Sequence, residues 1–169
     1  MAGADFDPGA LGFGEPAHEL TLADAERTRA LGGALARALS GGGFLGLVGD
    51  LGAGKTTLMQ GLAAARGAAV TSSPTYTLVN VYEEADVVHM DLYRLETDGD
   101  LESIGYWDYL EERGAIVAVE WVDQVPGAWP GEGVVVELRD EGAGRVARIW
   151  SSERGAPALE RELVDFAEE

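Results

Sequence analysis

The stretch GFLGLVGDLGAGKTTL, residues 43–58, decides how the rest of the chain is read. Its opening, FLGLVG, is apolar without polar alternation, the pattern of a short strand buried on both faces. GDLGAGKT, Gly49 to Thr56, then fills the pattern GxxxxGK[ST] at every fixed position, and the residues from Gly54 to Arg66 return to helical spacing. Strand, glycine loop and helix in that order predict a loop that wraps an anion.

Glycines let the backbone turn so that successive N–H groups point inward, and the helix N-terminus adds partial positive charge. The predicted phosphate cradle is Asp50, Leu51, Gly52, Ala53, Gly54, Lys55, Thr56 and Thr57. Lys55 is the only lysine; the other eleven basic residues are arginine. A compact ammonium on a flexible stem follows a terminal phosphate, whereas a guanidinium demands a fixed, planar geometry. The Thr56 hydroxyl suits Mg²⁺, which keeps most of its waters and takes few protein ligands, and Thr57 is placed for a neighbouring phosphate. The bland alternative is a glycine turn followed by a surface lysine. With average residue usage, the four fixed positions arise by chance in roughly one chain in a hundred of this size, or fewer.

Composition narrows the remaining classes. The chain has 169 residues, 46% hydrophobic and 25% charged, enough for one domain with a real core. It has no cysteine and two histidines, His18 and His89, which excludes a disulfide framework and disfavours zinc. A net charge of −18 argues against a surface that grips a polyanion, so direct, tight nucleic-acid binding is not expected. The start lacks the basic and apolar regions of a secretory signal, and no run reaches membrane-span length. A cytoplasmic protein is expected.

Residues 1–17, rich in Gly, Ala, Pro and Asp, read as a flexible leader, and 18–169 as a single domain. TLADAERTRALGGALARAL, from Thr21, has helical spacing, with Thr21 and Asp24 resembling a capping box. TYTLVNVYEE and DVVHMDLYRL predict an antiparallel pair, LESIGYWDYLEE a helix, and AIVAVEW a central strand. GVVVELRD and GRVARIW predict a second hairpin, and APALERELVDFAEE an amphipathic helix. The predicted fold is α/β: a P-loop NTPase-like mixed sheet with central parallel strands, flanking antiparallel strands and helices on both faces.

An NKxD route to guanine is excluded, because Asn80 is the only asparagine and Lys55 the only lysine. ATP is the expected nucleotide. A magnesium-bound triphosphate also needs carboxylates, one for the metal's water shell and another to orient or deprotonate a water. Asp91 closes VVHMD and Glu120 closes AIVAVE, both at carboxyl ends of apolar strands, where open α/β sheets bind ligands. Which of the two is the principal catalytic carboxylate stays open at this level. Trp121 either packs or walls the nucleotide site. His89 is read as facing away from Asp91 in a packing role. The loop TSSPTYTLVN, Thr71 to Asn80, has the composition of a segment that closes over a γ-phosphate, or of a plain connection.

GDLGAGKTT, then SPTYTLVNVY followed by HMDLYRLE, then GYWDYL ahead of VEW, resemble in that order the TsaE family of bacterial ATPases. The resemblance covers about Leu20 to Ser151. It implies a role in the threonylcarbamoyl modification of tRNA adenosine 37, with ATP and Mg²⁺ as cofactors. It further implies that Lys55 and Thr56 hold phosphate and Mg²⁺, that Ser73 to Tyr76 form a switch-like loop, and that Asp91, Glu120 and Trp121 are functional, Glu120 also on the metal side. Adenine contacts are expected near Asp24 to Thr28. The implied partners are the TsaD and TsaB proteins, on which the chain acts through ATP binding and hydrolysis without transferring the group itself.

Two rivals remain. A small-molecule P-loop kinase needs a lid with arginines, and Arg94 and Arg113 stand alone in the sequence. A nucleotide-dependent binding module would make hydrolysis incidental.

Overall fold

Both faces of the central strands are apolar, and alternate residues serve opposite layers. Leu45 and Leu47 of β2 (Gly43–Val48) join one core with Ile116 and Ala118 of β5 (Ile116–Glu120). Phe44 and Val48 join the other with Val117 and Val119. The first core is covered by α1 (Ala25–Ala38), α2 (Lys55–Ala65) and α5 (Leu159–Glu168). The second lies beneath α3 (Asp98–Ser103) and α4 (Tyr106–Leu110). This computed structural model describes residues 6–70, 74, 77–152 and 156–169.

Among the described residues, β1 (His18–Leu22), β3 (Val79–Tyr82), β4 (Val87–Asp91), β6 (Val134–Glu141) and β7 (Gly144–Ser151) complete one seven-stranded sheet of order β1-β7-β6-β2-β5-β4-β3. The pairs β6/β2, β2/β5 and β5/β4 are parallel, and β1/β7, β6/β7 and β3/β4 are antiparallel. Parallel centre, antiparallel flanks and helices on both faces are the expected fold. No described helix is long and apolar enough to cross a membrane.

α1 and α2 cross with their backbones in contact. A Cβ at Gly32 would run into the Leu58 carbonyl, and one at Gly61 into the Arg29 carbonyl. Only glycine fits at that crossing.

Three local expectations change. Thr21 does not start a helix: it lies in β1, paired with Val146, and Asp24 caps α1 by accepting the Arg27 N–H at 2.9 Å. LESIGYWDYLEE is two helices, because Gly105 at φ 71° breaks it, and α3 opens with a Thr97–Asp100 capping box. The leader also belongs to the core from Phe6 onward. Phe6 is buried edge-on against Trp150 with centroids 5.4 Å apart, Phe13 meets Trp129, and the Trp150 indole donates to the Gly14 carbonyl at 3.0 Å. Two phenylalanines outweigh the loop-like composition around them, since each removes a large apolar ring from water.

Candidate functional site

The loop between β2 and α2 turns through Gly49, Gly52 and Gly54 at φ 146°, 82° and 111°. Gly54 stands at the N-cap of α2 in the left-handed region and makes no side-chain cap, so the first N–H groups of α2 open directly onto the loop. Behind it, a Cβ on Gly54 would lie 3.1 Å from the Arg145 Nε and 3.7 Å from the Thr28 Cγ2. The start of α1, where adenine contacts were expected, therefore abuts the loop. Leu51 is 68% exposed at the loop tip, so only its backbone is available to line the cradle.

Lys55 is buried at the base of the loop, 5% exposed. Its Nζ donates to the Gly49 carbonyl and, at 3.0 Å, to the Asp50 carbonyl, and sits 4.5 Å from the centre of the Trp121 ring. Burial pushes the Lys55 pKa down from its ordinary value, while the charges of Glu120, Asp91, Asp123 and Asp50 act to hold the proton.

Arg145 of β7 was not legible as a site residue. Its Nε donates to the Ala53 carbonyl at 2.7 Å and its Nη2 to the Gly52 carbonyl at 3.1 Å. Tying two carbonyls back fixes the direction of the peptide planes in the loop, and with it where their N–H groups point.

The two strand-end carboxylates lie side by side: Asp91 is in register with Glu120, and Glu120 with Leu47 of β2. Both are 3% exposed. Asp91 Oδ1 accepts the Tyr93 N–H at 2.9 Å. A cleft of about 210 Å³ brings Lys55, Thr56, Thr57, Asp91, Glu120 and Trp121 together. Trp121, at φ 60° and stacked 4.9 Å from Tyr93, divides it from a neighbouring cleft of about 290 Å³ beside Gly49 and Asp123. Trp121 thus does both things the sequence left open, packing and walling the site.

His89 corrects the sequence reading. Residues two apart on a strand share a face, so His89 points the same way as Asp91, and its Nε2 lies 2.6 Å from Glu120 Oε2. The HMD spacing carried that signal. Of the switch-like loop, Ser73, Thr75 and Tyr76 lie outside the described residues, while the Pro74 carbonyl accepts the Leu78 N–H at 2.6 Å.

The donors around the cleft are hydroxyl and carboxylate oxygens, and among the described residues no cluster of three His, Cys, Asp or Glu forms a closed cage. That donor set fits Mg²⁺, which binds through one or two protein oxygens together with phosphate and water.

Residues 22–148 match the family profile described as threonylcarbamoyl adenosine biosynthesis protein TsaE. Proteins named tRNA threonylcarbamoyladenosine biosynthesis protein TsaE are similar in sequence. That of Nostoc sp. is 44% identical over 64% of this chain and 70% of its own length. That of Synechocystis sp. is 42% identical over 66% and 74%, and that of Bacillus subtilis 33% over 69% and 74%. The crystal structure of Bacillus subtilis YdiB superposes with a TM-score of 0.69 at 23% identity, covering 89% of this chain and 94% of that one, which shows the shared fold. Profile, relatives and fold agree with the motif order read from the residues, and the chain belongs to the TsaE family.

Proposed function

We propose that this protein is a Mg²⁺-dependent ATP-binding and hydrolysing subunit serving threonylcarbamoyladenosine biosynthesis on tRNA, acting on the TsaB–TsaD complex. The observation that carries this reading is the convergence of Lys55 and Thr56 with Asp91 and Glu120 around one cleft at the carboxyl ends of parallel strands. In it, the α2 N-terminus and loop N–H groups receive phosphate. Lys55 exchanges its contacts with the Gly49 and Asp50 carbonyls for the terminal phosphate oxygens. Thr56 and Glu120 are the residues that would hold Mg²⁺, which when bound neutralises charge on the β- and γ-phosphates. The paired carboxylates divide the remaining work: one on the metal side, the other on the attacking water.

The chain's −18 charge favours a protein partner over direct contact with tRNA. Hydrolysis by the chain alone is expected to be slow, because ordering the loop and supplying charge at the transferred group can raise such rates by roughly three to five powers of ten. The test is phosphate release from ATP, with and without Mg²⁺, by the full chain alone and with TsaB and TsaD, alongside a screen for phosphorylated small molecules. Acceleration by the partners is expected. Equal rates reject partner activation, and a phosphorylated small molecule makes the protein a kinase instead.

A further inference from the structure

Glu120 is fixed at its backbone from both sides: its carbonyl accepts the Leu92 N–H at 3.0 Å, and the next peptide, Trp121 N–H, donates to the Leu47 carbonyl at 2.9 Å. Its side chain still has three torsions, and the site's chemistry depends on which oxygen points where. His89 bears on those torsions. Directly across from His89, in register, stands Ala118, whose methyl leaves room on that face. Glu120 is the next residue on the same face of β5, a diagonal that an imidazole can bridge. The 2.6 Å contact from Nε2 to Oε2 closes that diagonal.

Packing alone does not account for a histidine here. His89 is fully buried, and among the described residues its Nδ1 is the one buried side-chain nitrogen or oxygen lacking a hydrogen-bond partner. A leucine would fill similar space without an orphaned polar atom, whose burial costs roughly 1–3 kcal/mol. An ionised carboxylate only accepts, so the proton of a neutral imidazole sits on Nε2 and Nδ1 is left as a lone pair.

We propose that His89 is a positioning residue for Glu120: by holding Oε2 it fixes the carboxylate rotamer so that the other oxygen is presented away from the imidazole, toward the Mg²⁺-nucleotide. The role rests on the ATPase reading above. It acts through Glu120, and His89 itself does not line the cleft.

The test uses the full chain and a fluorescent ATP analogue, with Mg²⁺ titrated at fixed nucleotide and the same titration run in EDTA as reference. H89L is expected to need about tenfold more Mg²⁺ for half-maximal binding, the usual scale for losing an outer-shell partner, with metal-free nucleotide affinity unchanged. H89Q, whose amide nitrogen occupies the Nε2 position, is expected to recover to within about threefold of wild type. In an E120Q background H89L is expected to add less than about twofold, because the two residues form one unit. If H89L does not fold, H89N takes its place, its amide being too short to reach Oε2. Wild-type Mg²⁺ dependence in H89L, an H89Q no better than H89L, or an undiminished H89L effect beside E120Q overturns the proposal. A wild-type chain that shows no Mg²⁺-dependent nucleotide binding overturns the ATPase reading as well.

Discussion

Arg66 and Arg145 both direct their guanidinium groups at backbone carbonyls, at opposite rims of the sheet. Arg66, just past α2, donates to the carbonyls of Ala85, Ser40, Asp86 and Gly114, at 2.7–3.4 Å. Those carbonyls precede β4, β2 and β5, so one side chain ties together the connections entering three parallel strands. Arg145 instead holds Gly52 and Ala53 of the phosphate loop at the rim where the strands end. The same chemistry serves stability at the entry rim and the shape of a binding loop at the exit rim. A change at the exit rim should therefore be read in ligand binding, and one at the entry rim in unfolding.

The sharpest way to break that division is Lys55→Ala. Removing a charge-assisted contact is expected to weaken ATP binding by roughly 1.5–3 kcal/mol, about ten- to 150-fold. The melting temperature should not fall with it, because the deleted ammonium is buried against its own pKa. Calorimetric titration decides, and unchanged affinity removes the phosphate-loop reading. Glu120→Gln comes next. It keeps the shape and loses the charge, so the chain should still bind ATP but turn over at least about tenfold more slowly. Single-turnover hydrolysis equal to wild type would make Glu120 a structural strand end and move the role to Asp91.

Arg66→Ala is the counter-experiment. Losing its four backbone contacts is expected to cost about 1–2 kcal/mol, a fall of roughly 2–8 °C in Tm for a chain of this size, with ATP affinity unaltered. Arg145→Ala is expected to do the reverse on a smaller scale, weakening ATP binding about three- to tenfold while moving Tm less than Arg66→Ala. Thermal melts and titrations on both variants suffice. If the two changes prove interchangeable, the rims are not functionally distinct.

What was legible in the sequence was local. The phosphate loop is one contiguous motif, and β5 announces itself as an apolar run ending in Glu120. Interactions that close over long separations left weaker traces. Arg145 carries no motif, and its partners lie 92 and 93 residues earlier. Phe6 and Phe13 read as loop residues because Trp150 and Trp129 lie far downstream. The edge strand β1 was absorbed into α1, since Leu20 and Leu22 suit either a strand alternation or the first turn of a helix. His89 was misplaced by parity alone: a period of two puts it beside Asp91, and the imidazole then reaches Glu120 on the next strand.

The distance between Arg145 and its loop also orders events in time. Chains are made from the N-terminus at about 5–20 residues per second, so Lys55 and Thr56 exist for several seconds before Arg145 and the β6–β7 hairpin that carries it. Until then β2 also lacks its β6 neighbour. A nascent chain stalled just short of residue 145 is thus expected to hold ATP at least as weakly as Arg145→Ala does, measurable by nucleotide crosslinking to stalled ribosome complexes. Full nucleotide affinity then becomes a property that only the finished polypeptide acquires.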